Sequence, residues 1–218
     1  SLQTWTRPAL PPRDGPAISD ARTWGYQLQR LDLARLPDHV DLLVTDYSRD
    51  GSAGAAFTPG DVEIMKQRQG GRRRIVLSYL SIGEAESYRY YWRPTWRVAA
   101  PAWLGDENPE WKGNYPVRFW MKDWQQVILR TTATRYDWLA EQILPWHKAY
   151  LDRIIDAGFD GIYLDRIDVF SEHQSHHRRA RADMIAFVSS IAAYARSRRA
   201  GFLVVAQNAE ELLTDRRY

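Results

Sequence analysis

Cysteine is absent from this 218-residue chain, which excludes disulfides, zinc–thiolate centres and thiol nucleophiles. No stretch approaches the roughly 18 uninterrupted apolar residues of a membrane span. A glycine-rich phosphate cradle is missing as well: GGRRR at 70–74 precedes an apolar run, whereas such a cradle follows one. A G-x-S-x-G nucleophile elbow does not occur. Charge of one sign is also scarce, with 30 Lys and Arg against 27 Asp and Glu. The small excess sits in runs, Arg72-Arg73-Arg74 and His176-His177-Arg178-Arg179, that read as solvated surface. No readout motif accompanies them, so nucleic acid is not an expected partner. His173, His176 and His177 match no metal-site signature of the H-E-x-x-H type, and neither a metal nor any other cofactor is expected.

What the chain has in abundance is aromatic: 10 Trp and 12 Tyr, many of them between Tyr88 and Trp124. Such rings fill cores, but they also stack on the apolar C–H faces of sugars while their polar tips bond hydroxyls. Composition therefore leans toward carbohydrate. With 44% apolar residues, one core and one domain are expected over residues 21–218, preceded by a Pro-rich leader or linker at 1–20.

Beyond that leader, strand-like and helix-like blocks alternate. TWGYQLQ (23–29), HVDLLVTDYS (39–48), RRIVLSYLSIG (73–83), PVRFWMKDW (116–124), FDGIYLD (159–165) and FLVVAQN (202–208) read as strands. TPGDVEIMKQRQGG (58–71) carries an N-cap Thr, a Pro at the first helical position and a Gly stop. Helical spacing recurs over 134–158, with a division or kink expected at Pro145, and over 175–199. The stretch from Glu84 to Tyr115 lacks periodicity and reads as a long loop region, of a length that is usually either functional or disordered.

Repeated βα units with fully apolar strands predict a mostly parallel sheet, whose active groups gather at the C-terminal strand ends. Those ends carry Asp46; Ser81 with Glu84 and Glu86; Lys122 and Asp123; Asp165 and Asp168; and Gln207, Asn208, Glu210 and Glu211. In a parallel sheet these groups converge on one face. Six strands leave the fold either an open doubly wound sheet or a (β/α)8 barrel lacking its last units.

The blocks VLSYLSIGEAESYRYYW (76–92), WLGDENPEWKGNYPVRFW (103–120), GFDGIYLDRIDVF (158–170) and VVAQNAEELL (204–213) together resemble glycoside hydrolase family 114. The resemblance runs in order over about residues 24–213. It implies a (β/α)8 TIM-barrel fold, incomplete at the C-terminus of this chain. It also implies an endo-α-1,4-polygalactosaminidase-like activity and a secreted or cell-envelope location. On the same resemblance the catalytic aspartate corresponds to Asp165 and the catalytic glutamate to Glu211 or its neighbour Glu210, with the count from Asn208 favouring Glu211.

Glycoside hydrolysis commonly needs two carboxyls flanking the scissile bond, one protonated and one ionised. Asp165 is expected as nucleophile or base and the late glutamate as acid, or the reverse. A separation of about 5–5.5 Å implies retention and about 6.5–9.5 Å inversion. Arg166 beside Asp165 is expected to keep it ionised, with Asp168 supporting. Asp46, Ser81, Glu84, Lys122 and Asp123 are candidates for the cleft wall, Tyr26, Tyr79 and Trp124 for sugar platforms, and Gln207 and Asn208 for bonds to hydroxyls. Each has a structural alternative as an ion pair, cap or core residue. The expected partner is an amino-sugar polymer, whose cationic groups an acidic cleft attracts despite the net charge of +3. A non-catalytic carbohydrate-binding barrel, or a hydrolase of another exopolysaccharide, is the alternative.

Overall fold

A computed structural model describes residues 17–130 and 148–212. Its centre is a five-stranded sheet built from β1 (Trp24–Tyr26), β2 (Leu42–Thr45), β3 (Ile75–Ser81), β6 (Gly161–Asp165) and β7 (Leu203–Ala206), in that spatial order. All neighbouring pairs are parallel. Between β3 and β6 in sequence, β4 (Glu84–Glu86) and β5 (Asn114–Pro116) form a separate antiparallel ribbon. The helices are α1 (Pro59–Lys66), α2 (Lys122–Ile128), α3 (Tyr150–Asp156), α4 (Phe170–His173) and the long α5 (Ala180–Arg198).

Register explains which side chains meet. The period of two along β3 and β6 sends Val76, Leu80, Ile162 and Leu164 into the main core beneath the helices. The opposite face carries Leu42, Val44, Ile75 and Leu77, with Tyr163, Leu203 and Val205 packed against them. Parallel partners share a face, so Tyr79 lies beside Tyr163, and Ser81 beside Asp165 at the strand ends. Gly161 is required there, because a Cβ on it would sit 2.3 Å from the Leu203 carbonyl oxygen. The sheet is a partial barrel wall with β1 and β7 at its edges.

The expected start of α1 is present as a reciprocal cap. Thr58 Oγ1 accepts from the Asp61 N–H at 3.2 Å, and the Asp61 carboxylate accepts from the Thr58 N–H at 2.9 Å. The helix then stops at Lys66, before the expected Gly. Residues 131–147, including Pro145, lie outside the described residues, and α3 forms the described part of the helix expected there.

The strand expected over 116–124 is not formed. Val117 and Phe119 do point inward alternately and are buried, but beyond Pro116, the last residue of β5, the only β-pairing among the described residues is an isolated bridge between Leu104 and Val117. From Lys122 the chain is helical, and Trp124 and Ile128, four residues apart, bury one side of α2. The aromatic wealth is also mostly core. Trp92, Trp96, Trp103 and Trp124 join Tyr91, Tyr115 and Tyr150 in a chain of ring contacts with centroids 4.7–6.0 Å apart. Each such pair contributes about 0.5–1.5 kcal/mol beyond burial. Among the described residues no helix is long and apolar enough to cross a membrane.

Candidate active site

A cavity of about 570 Å³ opens at the C-terminal ends of the parallel strands, roofed on one side by the β4–β5 ribbon and its loop. Among the described residues its wall holds seven carboxylates, from Asp46, Asp50, Glu84, Glu86, Glu110, Asp165 and Glu172, against the guanidiniums of Arg89 and Arg166. The chain is slightly basic as a whole, yet this concavity is strongly negative.

Asp165 ends β6 with both oxygens held. Tyr79 Oη donates to Oδ2 at 2.6 Å, and the Arg166 backbone N–H donates to Oδ1 at 2.8 Å. The second bond depends on a strained turn, since Arg166 adopts the left-handed region at φ 61°. Gly83 makes room for that turn: a Cβ on it would lie 2.3 Å from the Arg166 carbonyl oxygen. Burial and the neighbouring Glu86 and Asp165 push the Tyr79 hydroxyl well above the usual phenol range, so it stays a proton donor to the carboxylate.

The Arg166 guanidinium, expected beside Asp165, is directed elsewhere. It pairs with Glu172 at 2.8 Å, Glu84 at 3.3 Å and Asp168 at 3.9 Å. Glu84 in turn accepts from the side-chain amides of Asn108 and Asn114, both at 3.2 Å, and so ties the ribbon loop to the cavity wall.

Deeper in the wall, the buried Arg89 joins two carboxylates. Its Nη1 lies 2.7 Å from Asp46 Oδ2, and its Nε donates to Glu86 Oε2 at 2.6 Å. Its guanidinium carbon also lies 4.8 Å from the Tyr88 ring centre, while Tyr88 Oη donates to Glu86 Oε1 at 2.5 Å. Burial raises the Asp46 pKa to about 6, although Arg89 opposes the shift.

Several expected site residues stand apart from this cavity. Trp124 is fully buried and its indole N–H donates to the Ile82 carbonyl at 2.8 Å, so it is a core residue and not a sugar platform. Lys122 and Asp123 are exposed in the first turn of α2, because the strand expected to deliver them is a helix. Ser81 is buried beside Asp165, its Oγ without a hydrogen-bond partner among the described residues. Gln207, Asn208, Glu210 and Glu211 follow β7 on the same rim as Asp165, one strand over, but none lines the cavity. Glu210 and Glu211 are exposed on a single 3-10 turn. Asp46, Glu84, Tyr79, Asp165, Arg166 and Tyr26 do line it, Tyr26 with its ring 5.9 Å from that of Tyr163.

Sequence reasoning missed Arg89, Asp50, Glu110, Trp111 and Glu172. Arg89 had a signal, a lone cation inside the aromatic run SYRYYW. Asp50, Glu110 and Trp111 sit in turns, and Glu172 in the four-residue α4, too short for periodicity to mark its direction.

The histidines form a surface group away from the cavity. His177 stacks on Trp120 at 4.1 Å and bonds Asp183 at 2.6 Å, while His173 and His176 approach to 3.0 Å.

Comparison with known proteins gives this geometry a context. An uncharacterised protein of Deinococcus radiodurans is 38% identical over 218 residues, covering 98% of this chain and 62% of its own length. One of Thermotoga maritima is 37% identical over 195 residues, covering 87% and 53%. The chain thus spans only part of the length of these relatives. Among solved structures, Ega3 of Aspergillus fumigatus, in complex with galactosamine, superposes with a TM-score of 0.57 at 19% identity, over 88% of this chain and 61% of that one. The glycoside hydrolase domain of PelA from Pseudomonas aeruginosa gives 0.53 at 17% identity, over 88% and 60%. Both likenesses support the barrel-type fold, of which the described residues form an unclosed part. The profile of glycoside-hydrolase family GH114 matches residues 5–218, and this chain belongs to that family.

Proposed function

We propose that this glycoside hydrolase cleaves within α-1,4-linked, partly deacetylated galactosamine-rich polysaccharide, with Asp165 as the ionised carboxylate of the reaction. The observation that carries the reading is the acidic cavity with Asp165 on its wall. Free amino groups on the polymer are cations, and five negative charges in excess attract them where a neutral sugar gains nothing. Two hydrogen bonds donated to Asp165 fix the direction of its lone pairs, which suits attack on an anomeric carbon or on a water. Such a polymer is an extracellular material, which fits a secreted enzyme.

The proton for the leaving oxygen comes from the late glutamate, Glu211 ahead of Glu210, on the strand end next to Asp165. A second reading has its own support. Asp46 is the cavity acid that burial raises toward neutrality, to about 6, and a general acid works best with a pKa near the working pH.

The test is turnover of a partly N-acetylated α-1,4-galactosamine polymer by the full-length protein and its variants. D165N is expected to lose at least about 1,000-fold in kcat, as when a reacting group is removed. E211Q is expected to fall comparably while D46N retains most activity; the reverse order assigns the acid to Asp46. Normal turnover by D165N refutes the central assignment, and binding without product release moves the protein to the non-catalytic class.

A further inference from the structure

The ten tryptophans include seven among the described residues, at 24, 92, 96, 103, 111, 120 and 124. Six of these touch another aromatic ring. Trp111 does not. Its ring has no aromatic neighbour and its indole N–H no hydrogen-bond partner among the described residues, and it is 66% exposed while lining the acidic cavity. Removing so much apolar ring from water is worth about 25 cal/mol per Å², and the fold leaves that gain unused at the mouth of its cleft.

The ring is not held out by a loose loop. The turn that carries it is closed on itself: the Gly113 N–H donates to Glu107 Oε1 at 2.7 Å, the Asn108 N–H to the Asn114 carbonyl at 2.7 Å, and the Asn114 N–H to the Trp111 carbonyl at 3.0 Å. Gly113 turns the chain at φ 90°, a value that favours glycine. The same turn is fastened to the cavity wall through Asn108 and Asn114, whose amides donate to the two oxygens of Glu84. The backbone that carries the indole is thus fixed in advance, so binding need not order the loop as well.

We infer that Trp111 is a stacking platform for a pyranose unit of the polymer outside the sugar at Asp165, and so favours cleavage of long chains over short ones. This rests on the reading of the site as a polysaccharide-cleaving cavity. The apolar C–H face of a sugar covers the ring, the indole N–H is free to donate to a hydroxyl, and Glu110 beside it on the wall can pair with an amino group on the same unit.

The experiment measures binding of α-1,4-galactosamine oligosaccharides, short and long, by calorimetry to the full-length D165N protein with and without W111A. Turnover of the polymer by W111A, W111Y and the otherwise unaltered enzyme is measured in parallel. W111A is expected to weaken binding of the long oligosaccharides roughly tenfold, the order of loss when an interface Trp is truncated. It is expected to raise KM on polymer by a similar factor with a smaller change in kcat, and W111Y is expected to restore most of the loss. An unchanged melting temperature shows that folding is intact. Long oligosaccharides bound equally with and without Trp111 overturn the platform while leaving the hydrolase reading in place. Absence of both binding and turnover in the protein with Trp111 intact overturns both.

Discussion

The two ends of the parallel sheet are both rich in charge, and they use it in opposite ways. At the N-terminal ends, Asp41, Arg74 and Asp160 precede β2, β3 and β6, and each is fully engaged. Arg74 donates through Nε, Nη1 and Nη2 to the carbonyls of Val40, Met65 and Pro37 at 2.8, 2.6 and 2.6 Å. Asp41 accepts from the backbone of Arg22 and Thr23 and pairs with Arg68 at 2.6 Å. Asp160 accepts from the Val76 N–H at 3.0 Å and pairs with Lys66 at 2.7 Å. At the C-terminal ends the carboxylates outnumber the cations seven to two around an open cavity. Matched charge marks a structural seam; a surplus of one sign around a cavity marks a place that waits for a partner. Acid content alone does not tell the two apart.

Arg89 is where the contrast is sharpest, because among the described residues it is the one deeply buried cation at the surplus end. R89M leaves Asp46 and Glu86 buried with no guanidinium between them, and breaking a buried pair from one side costs about 3–5 kcal/mol. Denaturant unfolding is expected to show a loss of that size, and D46N in the R89M background is expected to recover part of it, since an amide needs no counter-charge. No recovery in the double variant means that Arg89 acts through its stacking on Tyr88 and not through charge.

Lys66 tests the other end. K66M removes one partner of Asp160, but the Val76 N–H at 3.0 Å and Arg199 at 3.4 Å remain. The expected loss is therefore smaller, about 1–2 kcal/mol, with kcat on polymer unchanged because the strand ends that carry chemistry are a strand length away. A fall in kcat with stability intact breaks the division between a structural and a working end.

The working half of this division was legible in the sequence; the matched seam at the other end was not. The acids after β2, β3 and β6 follow apolar runs whose length and β-branched content leave little choice of structure, so Asp46, Glu84 and Asp165 could be placed on one rim before any coordinates. The errors have a common physical origin. From 116 to 124, alternation of Val117, Phe119 and Met121 imitates a strand, and only the i, i+4 spacing of Trp124 and Ile128 reveals that a helix takes over. The aromatic run was read for sugars, whereas large rings also interlock with one another, and of its tryptophans Trp111 alone lacks a ring partner among the described residues. The direction of Arg166 was illegible, because a left-handed residue sends its side chain away from the neighbour that sequence adjacency suggests.

The smallest expected effect lies in the pH dependence of stability, and it separates the two ends by sign. Asp46 has its pKa raised to about 6 by burial, above the value it has in the unfolded chain. The folded protein therefore holds that proton more tightly, and this group adds stability as pH falls through about 6, on the order of 1 kcal/mol between pH 7.5 and 5. Asp41 behaves oppositely: the Arg22 N–H, Arg68 and the Thr23 N–H hold its carboxyl far below the usual range, so its contribution is present above that range and fades as pH falls toward its depressed value. Unfolding midpoints measured from pH 7.5 to 5, a window in which Asp41 stays ionised throughout, isolate the Asp46 term as the difference between the parent protein and D46N. The parent is expected to gain stability relative to D46N as pH falls across 6. Parallel curves mean that Asp46 is ionised across the whole window, and they remove the physical basis for giving it the proton-donor role in place of the late glutamate.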